Sequence, residues 1–244
     1  MERIDDLNIK GLKIIQNTDY FLFGIDSVIL ANNVKVKSND IVLDLCTGTA
    51  VIPVIINAKQ KCKKLIGVEL QKEMYDLAKR NIELNNLQNN IDIINMNIKD
   101  IKDIRRYLLD NVGKDTLDCI TCNPPYKEIG TGLKIEHSVK DIARNEVECT
   151  LEDIFKTASA MLKSKGKLYL VHKPERIVDL ISLSRKYNLE LKELRFMQPS
   201  VDKRPSLVLL EYVKDGGHEC RVREVLLQYD DKGNHSEEIM ELYK

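Results

Sequence analysis

Tryptophan is absent from the 244 residues, and aromatic side chains make up only 5% of them. A core must therefore be assembled mainly from Ile, Leu and Val. No apolar run approaches the roughly 20 residues of a membrane span, and Met1-Glu2-Arg3-Ile4-Asp5-Asp6 has no resemblance to a secretory leader. Neither a membrane nor a leader is expected. Net charge is missing too: 38 Lys and Arg balance 38 Asp and Glu, which argues against gross nonspecific nucleic-acid binding. The six cysteines are scattered, and Cys46, Cys119 and Cys122 fall in predicted buried strands. A reducing cytoplasm is the simplest location. Cys119-Ile120-Thr121-Cys122 has the CxxC form, but no second pair or His cluster completes a zinc site. Positions three apart on a strand also face opposite ways. These thiols read as core packing, and no metal is expected.

What is present is a chain 43% apolar and 31% charged, enough for one sizeable core with at most an appendage. Residues 1–40 read as a short cap. Leu7-Asn8-Ile9-Lys10 and Leu12 to Gln16 alternate around Gly11 as a small hairpin. A helix then runs to about Val34, with Asp26 as its N-cap. From residue 41 to 244 strands and helices alternate, the mark of a mostly parallel α/β sheet. Strands are expected at 41–45, 64–69, 91–96, 117–122 and 166–171. Helices are expected at 51–58, 71–85, 98–109, 151–163 and 175–187. Strand-like runs at 189–197, 206–213 and 220–229 close the sheet before an acidic tail. Residues 127–148 interrupt the rhythm, at a length typical of lids and binding loops or else of disordered segments. Charge is uneven: residues 155–225 hold 15 Lys/Arg against 9 Asp/Glu, and residues 226–244 hold 2 against 5.

Asn123-Pro124-Pro125-Tyr126 carries the chemistry. Two prolines cannot continue a central strand, because neither has an N–H and both fix φ. The chain must leave the sheet at Asn123, presenting an amide, an unladdered carbonyl and an aromatic ring together. A planar group with an exocyclic amino nitrogen needs those parts. The Asn123 oxygen and Pro124 carbonyl can accept its two hydrogens while Tyr126 stacks on its plane. The turn Asp44-Leu45-Cys46-Thr47-Gly48-Thr49-Ala50 follows the first sheet strand but lacks G-x-G-x-x-G, so a dinucleotide pyrophosphate is poorly served. Glu69 comes 25 positions after Asp44, at the next strand end, where it can accept ribose hydroxyls. Asn97, past the third strand, can address an adenine edge.

Together these residues resemble the class I S-adenosylmethionine-dependent methyltransferases, with the Asn-Pro-Pro-Tyr signature of those acting on planar amino groups. Nearly the whole chain is similar to the bacterial tRNA (adenine-N6)-methyltransferases that modify adenine 37, beside the anticodon of valine tRNA. The resemblance rests on Phe23-Gly24-Ile25-Asp26, Asp44 to Gly48, Asn123 to Tyr126, Val171-His172-Lys173-Pro174-Glu175-Arg176 and Leu207 to Glu211. It implies a Rossmann-like fold, a twisted and mostly parallel sheet flanked by helices with an antiparallel C-terminal strand. S-adenosylmethionine is then the cofactor and tRNA the partner. Asn123, Pro124, Pro125 and Tyr126 are the implied catalytic residues. Asp26, Asp44, Leu45, Thr47, Gly48, Glu69, Leu70, Asn97, Ile98 and Asn123 are implied to hold the cofactor. Lys173, Arg176, Arg195, Lys203 and Arg204 are candidates for RNA phosphates. The chain departs from the pattern at Ala50, where the turn normally closes with Gly, and at Asn145, where His follows Ala-Arg.

Two other readings use the same parts. Release-factor-type glutamine methyltransferases apply Asn-Pro-Pro-Tyr to a side-chain amide, but usually carry a helical amino-terminal domain for which 40 residues leave little room. A non-catalytic RNA-binding module would not need the tetrapeptide intact.

Overall fold

The computed structural model describes residues 1–20, 22–126 and 149–244. The segment 127–148, with Asn145, lies outside the described residues.

Apolar strands buried on both faces build the centre. The strands β3 (Ile41–Leu45), β4 (Lys64–Glu69), β5 (Ile91–Asn95) and β6 (Leu117–Cys122) lie parallel, in the order β5-β4-β3-β6. Next to β6 runs β7 (Leu162–His172), also parallel, then β9 (Leu207–Lys214), antiparallel to both β7 and β8 (Leu189–Gln198). Two short strands, β10 (Arg221–Val222) and β11 (Leu226–Leu227), pair with β8. Chain order reverses at β3, with β4 on one side and β6 on the other. Such a switch point opens a crevice at the carboxyl ends of the strands.

Strand pleating divides the core in two. Val42 and Cys119 face the side covered by α1 (Ile25–Asn33), α2 (Val51–Lys59) and α3 (Lys72–Leu84). Ile41, Leu43, Leu45 and Cys122 face α4 (Ile101–Val112), α5 (Leu151–Met161) and α6 (Ile177–Lys186). Cys119 and Cys122 thus sit in different cores, as their spacing requires. Ile9 and Ile14 pack into the first of these, which joins the amino-terminal segment to the sheet. Among the described residues no helix is long and apolar enough to cross a membrane.

Several local expectations need correction. The hairpin pairs β1 (Glu2–Asp6) with β2 (Lys13–Asn17), so Leu7 to Leu12 is its connection; buried Leu7 and Ile9 mimic a strand pattern by packing inward. Asp26 lies inside the first turn of α1, whose N-cap is Gly24. Cys46 belongs to the turn after β3, with φ 57°. The helix α4 starts at Ile101, because Ile98 is buried ahead of it. Leu84 is 38% exposed, and buried Asn81 takes a place on the inner face of α3. α5 ends at Met161, since β7 begins at Leu162. The last predicted strand is broken into β10 and β11, and α7 (Glu237–Glu241) forms in the acidic tail, capped by Ser236.

Gly67 sits on β4 where the sheet meets the turn. A Cβ there would lie 2.8 Å from Thr47 Oγ1 and 2.9 Å from Thr47 Cγ2 and Ile93 Cδ1. Thr47 cannot easily yield, because its hydroxyl donates to Asp44 at 2.6 Å. Gly67→Ala is expected to cost about 1–3 kcal/mol, the range for overpacking. Urea unfolding checks this as a lowered midpoint at unchanged slope; an unmoved midpoint would show that the turn gives way freely.

Candidate active site

The carboxyl ends of β3 to β6 all open at one edge, and the residues just past them surround a cavity of about 360 Å³. That volume suits a small organic ligand. The turn after β3 supplies Cys46, Thr47, Gly48 and Thr49, and the end of β4 supplies Glu69, Leu70 and Gln71. Asn97 and Ile98 follow β5, and Asn123 to Tyr126 follow β6. Phe23, Ser27 and Lys173 close the rim from the amino-terminal segment and from beyond β7.

Beneath the turn, Asp44 is fully buried and accepts hydrogen bonds from Thr47 and Thr121, each at 2.6 Å. Burial pushes its carboxyl up to about 7 despite the two hydroxyls. Asp44 and Leu45 do not line the cavity; Asp44 braces the turn that does. Gly48 has φ 57°, in the left-handed region that glycine adopts without a steric penalty. Among the described residues, a Cβ on it would meet only Met74 Cε, at 3.8 Å. Ala50 also has positive φ, 64°, but its methyl is fully buried in the core. The departure from glycine therefore puts no bulk into the cavity. Asn81 ties the turn to the hairpin, donating to Thr49 O and Ile15 O and accepting from Ile15 N.

Glu69 is 6% exposed and lines the cavity. Its two oxygens accept from the backbone N–H groups of Gly48 and Gln71, both at 2.9 Å. Burial outweighs those donors and raises its carboxyl to about 7. A hydroxyl-bearing ligand would restore polar partners that burial removes. Asn97 Oδ1 accepts from Lys99 N at 3.0 Å, which fixes the amide beside Ile98 at the wall. Glu69 fits the hydroxyls of a ribose, and the apolar lining from Leu70, Met74 and Ile98 fits a flat base.

At the mouth, Asn123 Nδ2 donates to Ser27 Oγ at 2.9 Å. The Tyr126 hydroxyl reaches both Asp26 Oδ2, at 2.8 Å, and Asn123 Oδ1. Burial, then the Asp26 carboxylate, holds the phenol well above its usual range. The Tyr126 ring meets the His172 ring edge-on at 5.2 Å, and Lys173 Nζ lies 5.4 Å from its centre. Among the described residues, buried His172 has no hydrogen-bond partner on either ring nitrogen, and desolvation lowers it to about 4. It is a neutral packing partner for Tyr126. Asp26 is 9% exposed and does not line the cavity. Ser27 went unrecognised in the sequence because its contact spans 96 positions and no motif marks it.

The cationic candidates separate. Lys173 is at the site. Arg176 pairs with Asp179 at 2.7 Å. Arg195 is 8% exposed, forms a two-pronged pair with Glu238 at 2.6 and 2.7 Å, and donates to Glu224 O. It holds α7 to the sheet and is not open to a phosphate. Lys203 and Arg204 are exposed on the turn between β8 and β9. Among the described residues no group of three His, Cys, Asp or Glu is arranged to hold a metal.

Residues 23–184 match the model of the methyltransferase small domain, and the chain belongs to that family of methyltransferases. A Porphyromonas gingivalis protein named tRNA1(Val) (adenine(37)-N6)-methyltransferase is 25% identical over 170 residues, 70% of this chain and 64% of that one. The chain thus spans just under two thirds of that relative. Further relatives with the same name are 22–27% identical. A Methanocaldococcus jannaschii protein, provisionally named a protein N5-glutamine methyltransferase, is 33% identical over 132 residues, 53% of this chain and 59% of that one. In fold, the chain is similar to the crystal structure of a predicted O-methyltransferase from Agrobacterium tumefaciens. The TM-score is 0.68 at 18% identity, covering 89% of this chain and 95% of the other.

Proposed function

We propose that the chain transfers a methyl group from S-adenosylmethionine to the N6 amino group of adenine in tRNA, with adenine 37 of valine tRNA as the target. The observation that carries this reading is the pairing of Asn123 to Tyr126 with the Glu69-lined cavity at one sheet edge. When bound, S-adenosylmethionine would supply a methyl group activated on a sulfonium sulfur. Glu69 would accept the ribose hydroxyls, Asn97 would address the adenine, and Thr47 and Gly48 would flank the methionine end. Leu70 and Ile98 give apolar walls. Target adenine, flipped out of its loop, stacks against Tyr126. Asn123 Oδ1 and the Pro124 carbonyl accept its two amino hydrogens and turn the nitrogen lone pair towards the methyl. As the nitrogen lone pair forms the N–C bond, the methyl's bond to its donor sulfur breaks and that electron pair stays on sulfur. Positive charge grows on the nitrogen, and oriented oxygens stabilise it without reorganising. The surplus N–H proton then passes to solvent water.

The relatives' names support tRNA as the substrate class. The 33%-identical archaeal relative favours a second reading, a protein glutamine amide, which the same grip serves. Labelled S-adenosylmethionine with total tRNA, followed by nucleoside mass spectrometry, tests the first; a peptide with a glutamine acceptor tests the second. Label on glutamine with tRNA adenine untouched would reject the substrate half of the proposal.

Lys203 and Arg204 are the exposed cations offered to phosphate. Lys203→Ala with Arg204→Ala is expected to weaken tRNA binding and flatten its salt dependence by about one unit of log–log slope per lost contact. Titrations over a salt series check this. An unchanged slope would remove both residues from the RNA surface.

A further inference from the structure

Two residues of the first turn of α1 hold the tetrapeptide's polar side chains, across 96 and 100 positions of sequence. Ser27 takes the Asn123 Nδ2 hydrogen, which sets the amide so that Oδ1 faces Tyr126. The Tyr126 hydroxyl has one proton and, among the described residues, two acceptors within reach, Asp26 Oδ2 and Asn123 Oδ1. It cannot serve both. Where the proton goes decides whether Asn123 Oδ1 is occupied or open.

We propose that Asp26 is a positioning residue for methyl transfer: it draws the Tyr126 proton to itself and leaves Asn123 Oδ1 open to the incoming amino N–H. This rests on the amino-group transfer proposed above. A carboxylate is the stronger acceptor, since charge-assisted hydrogen bonds are roughly twice as strong as neutral ones. Asp26 Oδ1 is itself anchored by Ser27 N at 2.9 Å, so the carboxylate is held in place to compete. Burial keeps the phenol protonated, so the competition persists at neutral pH. Asp26 stands outside the cavity lining and acts only through Tyr126 and Asn123.

Kinetics on whichever substrate the wild type methylates, tRNA adenine or peptide glutamine, test this. Asp26→Ala is expected to lower kcat roughly tenfold, the cost of displacing one competing hydrogen bond. KM and S-adenosylmethionine affinity, by calorimetry, should stay within about twofold. Adding Tyr126→Phe to Asp26→Ala removes the competing donor and should raise kcat about threefold or more above Asp26→Ala alone. A double variant at or below the single one would overturn the proposal. So would an Asp26→Ala that keeps kcat and loses cofactor affinity, which would assign Asp26 to the cofactor. If Asp26→Ala does not fold, Asp26→Asn with and without Tyr126→Phe gives the same comparison. A wild type acting only on glutamine would reject the tRNA reading and leave this test intact, whereas one inactive on both would overturn both.

Discussion

Asn123→Ala is expected to lower kcat by on the order of 10²-fold, the usual cost of losing one oriented polar contact to a transition state. The physical reason is preorganisation. Ser27 fixes the Asn123 amide at 2.9 Å before any substrate arrives, so its oxygen is aimed without further ordering. In the proposed reaction that oxygen would meet a nearly neutral amino group in the ground state and a partly cationic one during transfer. The interaction strengthens along the reaction and should therefore appear in kcat more than in binding. RNA affinity should change little, because the cations proposed to meet phosphate, Lys203 and Arg204, lie outside the cavity lining. Steady-state kinetics alongside a binding titration make the comparison. A kcat within about threefold of wild type would mean that Asn123 does not touch the reacting nitrogen, and the tetrapeptide would then be a structural exit from β6.

The parts of this arrangement legible in the sequence are those governed by local rules. β3, β4 and β6 lie where short, mostly apolar runs do, because a parallel strand buried on both faces is built largely from apolar residues. Two prolines fix the exit from β6 for the same kind of reason. Glu69 and Asn97 were readable as strand-end polar groups, and parallel topology brings every such end to one edge. What was not legible depends on contacts distant in sequence. Asp26 reads as a helix cap, since nothing local reveals that its partner is Tyr126. Arg195 reads as a free cation, but Glu238, 43 positions later, occupies it. Leu7 and Ile9 alternate as a strand would, yet they bury themselves from a connection, where periodicity and burial part company. Buried Asp44 belongs with these: a strand-end acid looks open to ligand until two hydroxyls are seen to cover it.

Glu69→Ala should weaken S-adenosylmethionine binding by about 1.5–3 kcal/mol, the range for a hydrogen bond to a charged group, or roughly 10- to 150-fold at 1.4 kcal/mol per decade. The carboxylate holds Gly48 N and Gln71 N, each at 2.9 Å, and in the proposed site it would also accept ribose hydroxyls. Removing it loosens the turn as well as the ligand. Its pH behaviour separates it from its neighbours. Burial raises Glu69 from 4.5 to about 7, so the native chain holds that proton more tightly than the unfolded one. Stability from this group therefore falls as pH rises between about 4.5 and 7, and is level above that. Cofactor affinity should run the other way. A protonated Glu69 cannot accept both hydroxyls, so wild-type affinity should climb towards pH 7 and then flatten. Asp44 also titrates near 7, but it remains in the variant, so the difference between wild type and Glu69→Ala isolates Glu69. Calorimetry across that pH range should show a gap that widens with pH up to about 7. A gap constant with pH, or wild-type affinity in Glu69→Ala, would place the ribose on other residues of the cavity.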